Sequence, residues 1–189
     1  VTPLLLFLVL WAGFAVSWLV AAFWRAPAVH TERSASVWLY RALLLLGAVL
    51  LNYRAARLLH AHRLWHVGYR GAYVLALLML PGFAFAWWGR LHLGRLWSSA
   101  VTRKADHRVI DTGPYGIVRH PIYTGILLAC LLSAIAVGAW TSIVGFVLMT
   151  AGFWLKARIE EAVLSRELGT EYAAYRSRVP MLLPFSPVR

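Results

Sequence analysis

From Leu4 to Trp24 the chain runs for 21 residues without one charged side chain. Roughly 20 apolar residues are what a helix needs to cross the hydrocarbon of a bilayer, and such a run exceeds the core of a signal peptide. Four more apolar runs follow: Val37–Tyr53, interrupted only by Arg41, then Tyr69–Trp88, Ile122–Val137 and Trp140–Leu155. Pro81-Gly82 falls inside the third run, where a membrane helix tolerates proline at the cost of a kink, and Trp87-Trp88 marks its interfacial end. Only Gly138-Ala139 separates the last two runs, and so short a connection forces an antiparallel helical hairpin. The expected fold class is all-α. It is a polytopic membrane protein with about five transmembrane helices and a C-terminal cytoplasmic helical cap. Residues 1–88 form three N-terminal spans, and residues 89–189 form a loop, a two-helix hairpin and C-terminal helices.

The rest of the composition agrees with this reading. Apolar residues make up 61% of the chain and charged residues 14%, against about 25% charged in a soluble domain, which excludes a water-soluble globule. A net charge of +12 is the kind of balance that nucleic-acid binders carry, but they have no use for this much hydrocarbon; the expected partner is the lipid bilayer, and no nucleic acid. The seven acids are unevenly placed. Glu32 stands alone before Asp106, and Asp111, Glu160, Glu161, Glu167 and Glu171 complete the set. Carboxylates are costly near lipid and mark functional positions there, so the second half of the chain is where chemistry is expected. Cys130 is the one cysteine, which leaves no disulfide framework and no cysteine-based metal site.

With five spans, the segment 89–121 and the tail beyond Leu155 lie on one side, each with six Lys or Arg, and Arg25 and Arg33 join them. Arg54, Arg57, Arg63 and Arg70 fall on the other side. Fourteen basic residues against four put the first side in the cytoplasm by the positive-inside rule. The expected location is a bacterial inner membrane with the active site facing the cytoplasm.

Two segments on that side carry the candidate chemistry. The first is Asp111-Thr112-Gly113-Pro114-Tyr115-Gly116-Ile117-Val118-Arg119-His120-Pro121-Ile122-Tyr123-Thr124-Gly125. Gly113-Pro114 and Gly116 read as turns, and Pro121 suits the first turn of the fourth span. His120 then stands at a helix start, where free N–H groups and the helix dipole favour an anion, with Tyr123 facing the same way. An interfacial turn with a capping histidine and belt aromatics explains the same residues without chemistry. The second segment runs from Lys156 through Arg158, Glu160 and Glu161 to Gly169, a plausible helix cap, and on to Tyr172, Tyr175, Pro180 and Pro184. Lys156 and Glu160 are i,i+4 neighbours, and Arg158 and Glu161 are i,i+3 neighbours. A solvated helix end accounts for such pairs, but adjacent carboxylates at the mouth of an apolar hairpin also suit a bound cation: an amine, a sulfonium or, least readily, a metal.

Taken in order, Gly113-Pro114-Tyr115 with Arg119-His120-Pro121-x-Tyr123-x-Gly125, a two-span hairpin, and Glu160-Glu161-x-x-Leu164 running on to Gly169, Tyr172, Tyr175, Val179-Pro180 and Pro184 resemble the isoprenylcysteine carboxyl methyltransferase family, which is related to the phospholipid N-methyltransferases. The resemblance covers residues 100–185 and reaches the first three spans only by hydropathy. It implies an integral membrane methyltransferase using S-adenosylmethionine, with residues 89–189 as the catalytic region and a lipophilic acceptor entering sideways from the bilayer. It also implies that His107, Val109, Ile110, Tyr115, His120, Pro121, Tyr123 and Glu160 bind the cofactor. Lys156 falls where the family places an arginine that holds the substrate carboxylate, with Arg158 close by. Lysine is a point charge and cannot make the bidentate fork of arginine, so the chain departs from the family at the residue that would face an isoprenylcysteine-like carboxylate. If the acceptor is an amine, Glu161 or Tyr123 is the candidate base, and Arg158 is counted with them as a catalytic candidate. No metal is implied. Two other readings stay open: a sterol- or steroid-type membrane reductase binding a nicotinamide cofactor in the same pocket, and a non-enzymatic scaffold or transporter.

Overall fold

The computed structural model describes residues 2–22, 30–31, 35–94, 102–103 and 109–186. Helices dominate them: α1 (Pro3–Ala22), α2 (Ala35–Leu50), the short α3 (Tyr53–Leu58), α4 (Tyr69–Leu93), α5 (Pro121–Val137) and α6 (Trp140–Arg176). A 3-10 turn, Gly113–Gly116, precedes α5. Two two-residue strands, β1 (His30–Thr31) and β2 (Thr102–Arg103), pair antiparallel. Three helices are long and apolar enough to cross a membrane, at Pro3–Ala21, Tyr69–Leu93 and Trp140–Arg176; Ala35–Leu50 and Pro121–Val137 are shorter apolar helices.

The boundaries depart from the sequence expectation in instructive ways. The second run stops at Leu50, because Asn52 turns the chain and caps α3 by accepting a hydrogen bond from the Arg54 N–H at 2.8 Å. The third run continues past Trp88 to Leu93 and passes through Pro81 without ending. Gly169 breaks the helical path as expected of a cap: its φ of 52° and ψ of −122° are not helical, so the long helix from Trp140 and a shorter one ending at Arg176 adjoin across a kink there. The Gly138-Ala139 connection is as short as expected, with Gly138 in the left-handed conformation at the end of α5 and Ala139 starting α6.

Packing is set by small residues and by aromatic edges. The hairpin partners touch, but the closest pairings are α4 on α5 and α2 on α6. Gly82 faces Gly125 across the first, and Gly47 faces Gly145 across the second, where a side chain on either partner would meet backbone. Helix α1 joins through rings: Phe14 stacks on Phe83 at 4.5 Å and Trp11 meets the same ring edge-on at 5.1 Å. Trp11 Nε1 donates to Ser133 Oγ at 3.0 Å, and Trp87 Nε1 to Ser17 Oγ at 3.2 Å. The fully buried Arg90 closes the end of this pair by donating to the Ala21 carbonyl at 2.8 Å and to the Gly94 carbonyl at 2.7 Å. The outer face of α1 exposes Leu4, Leu8, Val16, Leu19 and Val20, an apolar surface of the kind that lipid covers.

Candidate functional site

Helix α5 opens on His120 and Pro121, and α6 brings Lys156, Glu160 and Glu161 to the same end of the hairpin. Pro121 occupies the first helical turn, where its missing N–H costs nothing, and so fixes the register that points His120 and Tyr123 at α6. The His120 and Tyr123 rings lie parallel, 5.3 Å apart with 5° between planes, and Tyr123 stacks on Phe153 of α6 at 4.9 Å.

The two adjacent glutamates have different surroundings. Glu161 is sealed, with only 4% of its side chain exposed. Arg119 Nε donates to its Oε1 at 2.7 Å and Nη2 to its Oε2 at 3.3 Å, while His120 Nε2 lies 3.1 Å from Oε1. Arg176 approaches within 3.8 Å. Glu160 keeps 20% of its side chain open and accepts the Tyr123 hydroxyl on both oxygens, at 2.6 and 2.7 Å. Lys156 Nζ stands 3.9 Å from it, and His120 Nδ1 3.6 Å. Lys156 is itself buried and sits over two rings, Tyr123 at 5.0 Å and Tyr40 of α2 at 5.9 Å. The open carboxylate is thus ringed by cation and aromatic surface, while the closed one is committed to holding Arg119 and His120 in place.

The roof comes from the chain after α6. Arg119 Nη1 donates to the carbonyls of Arg176 (2.9 Å) and Val179, and the backbone N–H groups of Arg119 and His120 donate to Pro180 and Met181 (2.8 and 3.1 Å). Thr124 Oγ1 donates to the Leu182 carbonyl at 2.6 Å. Helix-start N–H groups that the sequence offered to an anion are therefore taken up in part by this strap.

Tyr115 is buried in the turn before α5. Its hydroxyl donates to the Gly89 carbonyl at 3.3 Å, its carbonyl accepts from Tyr175 at 2.7 Å, and its ring stacks on His92. Burial raises its hydroxyl above the ordinary phenol range, so it remains a neutral donor. Val109 packs with Tyr172, Tyr175 and Val179, and Ile110 is half-buried beside it. His107 lies outside the described residues. Arg158 does not join the cluster: it is exposed, lies 5.7 Å over the Trp154 ring, and makes no pair with Glu161. Its i,i+3 neighbour turns inward to Arg119, whose fork offers a better partner than a solvated side chain.

Three participants escaped the sequence reading. Arg119 stood inside the quoted motif with no role, Arg176 looked like one more basic residue of the tail, and Tyr40 lies in a span known only by its hydropathy. A lone tyrosine in an apolar run carries no signal of what it faces.

The Isoprenylcysteine carboxyl methyltransferase (ICMT) family model matches residues 74–166. Over those residues, just under half of its length, the chain is similar to the isoprenylcysteine carboxyl methyltransferase family. The chain is 34% identical over 89 residues to the protein-S-isoprenylcysteine O-methyltransferase of Schizosaccharomyces pombe, covering 47% of this chain and 38% of that protein. It is 24% identical over 134 residues to protein-S-isoprenylcysteine O-methyltransferase B of Arabidopsis thaliana, covering 60% and 68%. It is 30% identical over 142 residues to the cobalt-zinc-cadmium resistance protein CzcN of Cupriavidus metallidurans, covering 72% and 61%. The matches thus span less than two thirds of the yeast and Cupriavidus relatives. The isoprenylcysteine carboxyl methyltransferase match contains α5 and the first part of α6, and with them His120, Tyr123, Lys156, Glu160 and Glu161. Tyr172, Tyr175, Arg176 and the strap lie beyond it.

Proposed function

We propose that this protein is an integral membrane methyltransferase that moves a methyl group from S-adenosylmethionine to a lipophilic acceptor, with an isoprenylcysteine-like carboxylate as the acceptor its relatives' names suggest. One observation carries the reading: the Glu160 carboxylate, oriented by Tyr123 and left partly open, between Lys156 and His120 at the end of an apolar hairpin. The donor set fits such a cofactor, because an open carboxylate beside aromatic faces suits its positive groups. When bound, S-adenosylmethionine supplies an electrophilic methyl on a sulfonium.

The chain's own residues then have positioning to do, the largest lever in an in-line displacement. Glu160 counters positive charge, and Tyr123 fixes the plane of its carboxylate. His120 stands between both glutamates, and Arg119 with Glu161 holds it there. Lys156 draws an anionic acceptor head to the same place, and its aromatic surroundings keep water away from two opposite charges that the reaction extinguishes. Tyr115, Val109 and Ile110 complete the wall on the C-terminal side. Arg158 has no part in this arrangement. We further propose that five helices cross the bilayer and that the site faces the cytoplasm of a bacterial inner membrane.

The test is calorimetry on the purified protein with S-adenosylhomocysteine and, separately, NADPH, followed by labelled-methyl transfer into a panel of lipids and small thiols. Binding of S-adenosylhomocysteine and label in a lipophilic product are expected. Binding of NADPH alone would overturn the proposal in favour of a reductase.

A further inference from the structure

A second face of α6 carries another site. Phe146, Thr150, Trp154 and Arg158, spaced four residues apart, wall a groove of about 700 Å³ that Leu127 of α5 closes on one side and the strap 180–183 covers. Phe153, Lys156 and Glu160 point elsewhere and are not among its lining residues. The groove is walled by residues other than those that surround the open carboxylate, and its occupant is read from its own lining.

Its charge says which. Arg119, Arg158 and Arg176 line it, and among the described residues no acidic one does. Glu161 is the carboxylate behind them, already shared by Arg119, Arg176 and His120. Among the described residues no carboxylate pairs with Arg158, whose guanidinium lies 5.7 Å over the half-exposed Trp154 ring, and Arg176 keeps 40% of its side chain open. The wall below these two guanidinium groups is apolar. A basic rim above an apolar channel complements an amphiphile with an anionic head, and the arginine fork matches phosphate oxygens.

We infer that this groove binds an anionic phospholipid, with its phosphate between Arg158 and Arg176 and an acyl chain along Phe146, Thr150 and Trp154. The inference needs no methyl donor and stands apart from the methyl-transfer reading. The strap over the groove is the one that holds the Arg119 and His120 backbone, so the lipid would brace the same turn that positions the polar cluster.

Native mass spectrometry of the full chain in detergent tests it, with dioleoyl phosphatidylglycerol and dioleoyl phosphatidylcholine added separately at equal concentration. Preferential retention of phosphatidylglycerol is expected. R158Q, an exposed change that leaves the fold intact by circular dichroism, should lower that retention about fivefold, the share of one arginine at a lipid surface. R70Q, an exposed arginine far from the groove, should not. W154A removes apolar wall without removing charge and should weaken both lipids alike. Equal retention of the two lipids, or phosphatidylglycerol held by R158Q as by the unaltered chain, would overturn the inference.

Discussion

Adjacent glutamates make the sharpest residue-scale contrast. Glu160 is open and accepts one phenol; Glu161 is closed and answers two arginines and a histidine. Replacing each by glutamine should therefore separate function from stability. Glu161→Gln leaves the buried Arg119 without its counter-charge, and breaking a buried pair from one side costs about 3–5 kcal/mol; thermal unfolding in detergent should show a lowered midpoint. Glu160→Gln should leave that midpoint nearly unchanged and weaken S-adenosylhomocysteine binding about tenfold or more, read by calorimetry. Tyr123→Phe removes a hydrogen bond to a charged group, worth about 1.5–3 kcal/mol, and should weaken the same binding with the fold intact. The sequence displayed the two glutamates but not their division of labour. Spacing on a helix puts them about 100° apart, and only the packed partner, Arg119 in the turn before α5, decides which of them is sealed.

At the scale of the helix, sequence and structure part over breaks rather than over existence. Every apolar run forms a helix over most of its length, because an apolar run in hydrocarbon can satisfy its backbone hydrogen bonds within a helix. The breaks depend on local chemistry that hydropathy does not report: Asn52 capping α3, which the apolar run hides, and the non-helical Gly169, which its residue type does advertise. Pairing was also unreadable, since the short Gly138-Ala139 connection advertised α5 against α6 while the tightest contacts, α4 with α5 and α2 with α6, are made through glycines far apart in sequence. This yields a paired prediction. A Cβ on Gly125 would collide with the Gly82 carbonyl, whereas one on Gly13 meets nothing within 4 Å. Gly125→Ala should destabilise by about 1–3 kcal/mol, the usual effect of overpacking. Gly13→Ala should be neutral or stabilising by roughly 0.5–1 kcal/mol, since alanine is the better helix former. Denaturant or thermal unfolding of the two variants side by side decides the matter, and an equal effect would mean that the α4–α5 contact is not close.

For the whole molecule, the connections sort themselves into two ends. The α3–α4 connection is tied to the hairpin turn: Leu64 N–H donates to the Gly138 carbonyl at 2.7 Å, Trp65 Nε1 to the Ile135 carbonyl at 2.8 Å, and Arg63 bridges Ala139. At the other end, β1 between α1 and α2 pairs with β2 after α4, and the strap after α6 binds the start of α5. Helices whose connections alternate in this way run up and down in turn, which is the arrangement five crossings require. On the proposed five crossings, the shorter helices α2 and α5 would span with their ends reaching the interface through flanking polar residues. Charge assigns the ends: Arg54, Arg57, Arg63 and Arg70 on one, and the much larger basic share, including Arg119, Arg158, Arg166, Arg176 and Arg178, on the other. On the proposed orientation, which follows the positive-inside rule, the second end with the Glu160 cluster is the cytoplasmic one. The buried Cys130 can be replaced by alanine to give a cysteine-free background. Into it, single cysteines at His62 and Ser177 place one thiol at each end. A membrane-impermeant maleimide applied to intact cells should label the first and spare the second until the membrane is opened. Labelling of both from the same side would overturn the odd number of crossings, and labelling of Ser177 alone would invert the orientation and turn the polar cluster away from a cytoplasmic methyl donor.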